Sequence, residues 1–229
     1  MGEGMENDKA LMPFIHAANI ACGYHAGDVS TMKQTIEWAL QYGVSVGAHP
    51  SFHDREHFGR KERVVDPGEV YECVTQQLLI LREITDLLHT NIRHVKPHGA
   101  LYNMAARDEV LAGSLVSAVR DFDPSLVFYG LSGSVAVTTA RSAGLATASE
   151  VFADRTYRDD GSLTPRSEPG ALISDTEQAL KQVQQIRQTG TVTTLSGNII
   201  PVEADTVCIH GDGPQALAFA KAIHEVLEK

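Results

Sequence analysis

Short apolar runs that end in polar, glycine- or proline-marked turns alternate along this chain with stretches whose apolar positions recur every three or four residues. That is the mark of strands alternating with amphipathic helices. The first run, 16–22, predicts a strand. Asp28 then stands as an N-cap before Met32, Ile36, Ala39 and Leu40 at helical spacing, and Gly43 is placed to stop that helix. Residues 44–48 predict the next strand. Asp66-Pro67-Gly68-Glu69 combines an N-cap, a first-turn proline and a capping-box glutamate, and Val70, Val74, Leu78, Leu81 and Leu88 carry the helix to about residue 89. An apolar run ending in Ile92 and Val95 predicts a buried strand, which Pro97 must end because it has no N–H for the ladder.

Beyond that strand and a loop, Asp108 opens a helix with Leu111, Leu115, Val119 and Phe122 on one face. A strand over 126–131, a short helix over 133–144 and a strand over 145–152 follow. A Gly/Pro/Ser-rich loop runs to Gly170, and the capping box Ser174-Asp175-Thr176-Glu177 opens a helix lined by Leu180, Val183 and Ile186. Residues 192–195 and 199–202 predict a hairpin. A last strand spans 206–209, and Asp212 with Gln215 starts a closing helix to Leu227.

Six β-then-α units in series imply a parallel sheet with right-handed crossovers. No GxGxxG follows the first strand, which speaks against a dinucleotide fold. Polar residues follow nearly every strand, which favours a (β/α) barrel with its site at the C-terminal face. A single domain over 1–229 is expected. Gly2-Glu3-Gly4 reads as the turn after a strand, so one further strand is expected missing at the front.

The net charge of −10 argues against nucleic acid or an anionic membrane as partner. No apolar run approaches the roughly 18–20 residues of a membrane span. Cys22, Cys73 and Cys208 lack CxxC spacing and are odd in number, which makes a reducing cytoplasm the expected compartment.

The candidate chemistry sits at three strand ends, each delivering a histidine: 22–28 with His25, 47–51 with His49, and 94–103 with Lys96, His98, Tyr102 and Asn103. Such loops converge in a barrel, so the histidines suit a metal site or a general acid/base set. His25 and His49 with Asp28 are the candidate metal ligands, although Asp28 also suits an N-cap. A partly buried Lys96 can offset developing negative charge, or it can pair with Glu150 or Asp154. Arg60, Arg155 and Arg166 are of the type that grips a carboxylate or phosphate, or organises a loop. His210 and Asp212 precede a helix start that suits an anion, with Asp212 as N-cap the plainer alternative. No GxxxxGK[ST] loop is present, so use of ATP cannot be read from these residues.

The stretches 18–28, 47–51, Phe58-Gly59-Arg60, 94–103, 150–155 and 208–212 together resemble the LamB/YcsF family, assigned as the barrel subunit of 5-oxoprolinase. The likeness runs through essentially the whole chain. It implies the distorted, seven-stranded barrel of polysaccharide deacetylases. The implied activity, with two partner subunits, is ATP-dependent opening of 5-oxo-L-proline to L-glutamate. ATP is then the co-substrate and a divalent metal a candidate cofactor. On this reading Lys96, His98, Asp154 and Glu150 are the catalytic candidates. Arg60, Tyr102, Asn103, Arg155, Arg166, His210 and Asp212 are candidates for holding substrate or phosphate. His53, His57 and Lys61 stand where the family has other residue types and receive no role. Two rival readings remain: a metal-dependent hydrolase acting alone in the manner of the deacetylases, and a non-catalytic substrate-binding subunit. Self-association into a homo-oligomer also stays open.

Overall fold

A computed structural model describes residues 1–213 and 215–228. The chain divides into two compact units, Met1–Gly130 with Ser134–Thr147, and Leu131–Gly133 with Ala148–Lys229.

The first unit opens with a short helix, α1 (Asp8–Leu11), and a 3-10 turn (Met12–Phe14). There follow β1 (Ala17–Ala21), α2 (Val29–Tyr42), β2 (Ser45–His49), α3 (Pro67–Leu87), β3 (His94–Val95), α4 (Gly99–Ala105), α5 (Glu109–Phe122), β4 (Val127–Leu131) and α6 (Val135–Ser142). The strands pair in parallel in sequence order, Ala17 opposite Ser45, Gly47 opposite His94, and His94 opposite Val127. Their side chains and the helices enclose one core that includes Ile20, Val46, Leu78, Leu81, Val95, Leu115 and Phe128.

The second unit holds β5 (Ala146–Phe152), α7 (Thr176–Thr189), a hairpin of β6 (Thr191–Thr193) and β7 (Ile199–Pro201), β8 (Thr206–Cys208) and α8 (Ala216–Leu227). β5 pairs in parallel with β8, Val151 opposite Val207, and β6 pairs antiparallel with β7. A smaller core gathers Ala153, Ile173, Val183, Phe219 and Ile223. Among the described residues no helix is long and apolar enough to cross a membrane.

The expected caps form. Asp28 accepts from the Thr31 N–H and Gly43 ends α2 at φ 69°. Asp66 accepts from Gly68, Asp108 from Val110 and Leu111, and Asp175 from Gln178. All six expected β-then-α units are present.

Three elements differ from expectation. α1 and its 3-10 turn lie in the front segment, where Asn7 offers α1 no side-chain cap. α4 occupies what the pattern left as loop, and its N-cap, His98, makes no capping bond. The usual Ser/Thr/Asp/Asn signal is missing there. The closing helix is not capped by Asp212 either; its N-cap is Gln215, again without a side-chain bond.

Candidate functional site

The first unit concentrates its chemistry where β1, β2 and β3 end. His49 is the last residue of β2, Pro97 interrupts the ladder just past β3, and the amides on either side of it still reach the β2 side. Lys96 N–H donates to the Ala48 carbonyl at 3.0 Å and His98 N–H to the Pro50 carbonyl at 2.8 Å. That fixes His98 beside His49. The loop carrying Phe58 closes over both. Gly59 (φ +64°) packs so tightly that an added Cβ would lie 2.9 Å from His25 Cβ and 3.1 Å from His98 Cδ2. At Gly99 (φ +57°) an added Cβ would lie 2.4 Å from the Gly59 carbonyl oxygen. Left-handed backbone and absent side chain are both needed there.

Four rings meet in this space. His25 stacks on His98 with centroids 3.9 Å apart and planes 5° from parallel, while His49 meets His98 edge-on at 4.8 Å. Phe58 stands edge-on to both His25 and His98 at 5.3 Å. Phe58 holds φ 55°, a costly conformation for an aromatic residue. Its carbonyl is thereby aimed at His98.

The hydrogen bonds assign the ring protons. His49 Nδ1 lies 2.7 Å from the Lys96 carbonyl and His98 Nε2 lies 2.8 Å from the Phe58 carbonyl. A carbonyl only accepts, so each of these nitrogens carries the hydrogen. In the neutral rings that leaves His49 Nε2 and His98 Nδ1 as bare lone pairs, and these two atoms are 3.0 Å apart. His25 in turn donates from Nε2 to Glu3 Oε1 at 3.1 Å and has Ser51 Oγ 2.8 Å from Nδ1. A Glu3 carboxylate oxygen and ring nitrogens of His49 and His98 lie within 4.8 Å of one another, a set able to hold a metal ion.

Burial, then the charges of His98, Lys96 and His25, hold His49 well below the ordinary histidine range. Burial first and His25 next lower His98 to about 3, against the opposing pull of Glu3 and the Phe58 carbonyl. Glu3 moves the other way. Burial favours its neutral form, but the N-terminal ammonium, the His25 hydrogen bond and the nearby histidines outweigh it and lower the carboxyl to about 2. His49 and His98 therefore rest as neutral imidazoles facing a carboxylate.

The expected site residues fall into two sets. In the first unit, Lys96 is buried, with Nζ 5.7 Å from the centroid of the buried Tyr102 ring. Asn103 is exposed on α4. Arg60 is exposed and lies over the Phe58 ring at 4.8 Å. Of the expected metal ligands, His49 joins Glu3 and His98, His25 backs Glu3, and Asp28 Oδ1 is taken up by Thr31 and Ser30 at the start of α2.

In the second unit, Asp154 accepts from His210 twice, from the backbone N–H at 3.0 Å and from Nδ1 at 2.9 Å. Burial opposes its charge, but these bonds and Arg166 hold the Asp154 carboxyl below its usual value. Arg155 is buried and ties its loop together through the Thr164 and Ala171 carbonyls. Glu150 is buried and Asp212 exposed.

Sequence reasoning missed Glu3, Ser51 and Phe58 as members of the cluster. The signals were the glycines flanking Glu3 and the Phe58-Gly59-Arg60 triplet. It also missed His94, whose Nε2 meets Asn19 Oδ1 at 2.9 Å and whose buried Nδ1 has no hydrogen-bond partner.

Parallel strands feeding helices, with histidines, a carboxylate and a lysine gathered beyond the strand ends, define an α/β protein of the barrel class with a polar strand-end site. The LamB/YcsF family model matches residues 1–229, and the chain belongs to that family. It is also similar to the crystal structure of the lactam utilization protein from Thermus thermophilus. The two share 40% identity and a TM-score of 0.91, over 98% of this chain and 90% of that one.

Proposed function

We propose that this chain is the barrel subunit of an ATP-dependent 5-oxoprolinase, opening the lactam of 5-oxo-L-proline to L-glutamate together with two partner subunits. The family and the 40% identity to a lactam utilization protein support the substrate class. The single observation that carries the site is the buried Lys96 next to the unprotonated His49–His98 pair.

A lactam is a resonance-stabilised amide whose opening needs coupling. The amide oxygen attacks the γ-phosphorus of ATP, ADP departs, and the ring carbon becomes an electrophilic imidate. One water adds to that carbon and the C–N bond breaks, leaving an amine and an acyl phosphate. A second water releases phosphate and glutamate. Lys96 offsets the negative charge on the activated oxygen, a role worth several kcal/mol when the charge is fixed in a dry site. The attacking water sits beside the His49–His98 pair, oriented toward the ring carbon. Arg60, Tyr102 and Asn103 flank this region as substrate contacts. In the second unit, Asp154–His210 forms a carboxylate-held imidazole of the general acid/base type, with Glu150 and Arg155 buried nearby in sequence and Arg166 and Asp212 suited to phosphate.

The test is 5-oxoproline-dependent ADP release by the two partner subunits with and without this chain. Stimulation that requires the chain supports the reading. Full stimulation in its absence refutes it.

A second reading, a metal-dependent hydrolase acting alone, is favoured by one observation, the convergence of Glu3, His49 and His98. Release of acetate from N-acetylated sugars by the chain alone, without ATP, would distinguish it.

A further inference from the structure

Two lone pairs do not face each other at 3.0 Å in a buried site without something between them. Rotating the rings offers no escape, because the opposite nitrogens are held by the Lys96 and Phe58 carbonyls, and Phe58 keeps a strained backbone to present its own. A shared proton answers for two nitrogens but gives no account of the Glu3 carboxylate, which His25 holds within reach of both as a third convergent donor. The geometry points to a divalent first-row transition-metal ion held by His49 Nε2, His98 Nδ1 and Glu3, with its remaining positions open to water or substrate.

The distances agree with this assignment. Metal–nitrogen bonds of about 2.1 Å, meeting between a right angle and the tetrahedral angle, bring two imidazole nitrogens to about 3.0–3.4 Å. Two imidazoles and one carboxylate favour zinc, iron, cobalt or nickel over magnesium or calcium, which prefer all-oxygen sites. The outer contacts are also those of a metal centre. Both ligand histidines donate their other N–H to a main-chain carbonyl, and Glu3 is held by His25. Asp28 contributes nothing here, since its Oδ1 caps α2. A bound ion supplies a water made more acidic by coordination. The site goes beyond the lactam reading and does not depend on it.

The experiment uses the intact chain, stripped with chelator and titrated with Co²⁺ or Zn²⁺ alone by calorimetry, with cobalt followed by its visible absorption. One ion per chain is expected. His49→Ala and His98→Ala should abolish it, and Glu3→Gln should weaken it strongly. His25→Asn, which frees the Glu3 carboxylate and removes the ring stacked on His98, should weaken it by about 10–100-fold. Circular dichroism of the metal-free variants checks that each is folded, and Glu3→Gln serves if the histidine variants are not. No binding by the folded wild-type chain overturns the assignment, as does binding that survives Glu3→Gln and His25→Asn undiminished. A proton shared by His49 and His98 in nitrogen NMR, with added metal leaving it in place, overturns it too. None of these readings involves 5-oxoproline or ATP, so failure of the metal site and failure of the lactam reading are separate results.

Discussion

His49 Nε2 and His98 Nδ1 stand 3.0 Å apart, each on a ring whose other nitrogen donates to a main-chain carbonyl. This contact joins the end of β2 to the segment after β3, and it is made by residues 49 positions apart. Burial and the stacked His25 ring favour the neutral form of His98, while the strained Phe58 fixes that ring's orientation through its carbonyl.

Burying histidines in the neutral form ties stability to pH. Burial lowers His94 to about 4, helped by Lys96, and lowers His98 to about 3, from an ordinary value of 6.5. The unfolded chain therefore takes up protons first, so stability is full above 6.5 and falls as the pH drops below it. Each histidine should cost about 1.4 kcal/mol per pH unit through that window. Glu3, lowered from 4.5 to about 2, adds its own loss only below 4.5, so the interval from 6.5 to 4.5 isolates the histidines. Urea midpoints measured on the metal-free chain should fall steadily across it; a flat profile contradicts neutral burial.

The loop that covers the rings depends on two close approaches. Gly99→Ala combines positive φ with a Cβ driven to 2.4 Å from a carbonyl oxygen, and should cost about 2–4 kcal/mol. Gly43→Ala has the same sign of φ, at +69°, but nothing within 4 Å, and should cost only about 1 kcal/mol. Equal losses in denaturant titrations would mean that the contact between Gly99 and Gly59 is not tight.

In the second unit, Asp154→Asn keeps an acceptor for the His210 backbone N–H but removes the charge that orients the ring. If the pair works in proton transfer, kcat of the assembled complex should fall by about 10²-fold with little change in melting temperature. A lower melting temperature with unaltered kcat would make it a structural clasp.

Much of the fold was legible because local rules and the global pattern agreed. Asp28, Asp66 and Asp108 cap where their residue types say they should, and Pro97 ends its strand because it has no N–H to give. α4 escaped for the converse reason: a histidine stands at its N-cap and makes no capping bond, so nothing announces the helix. The histidines were visible as a recurring type at three strand ends. Their partners were not, since Glu3 is brought to His25 over 22 positions by main-chain bonds such as Ala21 N–H to the Met1 carbonyl. Phe58 looked like a hydrophobic residue in a polar loop, and only its backbone conformation and carbonyl give it a role. Such relationships depend on tertiary approach, which no spacing encodes.

Buried Lys96 is proposed to offset charge on the activated lactam, and Lys96→Met isolates that role because methionine keeps the stem and removes only the ammonium. The measurement is glutamate formation from 5-oxo-L-proline and ATP by the chain assembled with its two partner subunits, resolved into kcat and KM. The expected result is a fall in kcat of about 10²–10³-fold with KM for 5-oxo-L-proline little changed, since the interaction is strongest in the transition state. A variant that folds and assembles yet turns over at the wild-type rate would contradict it.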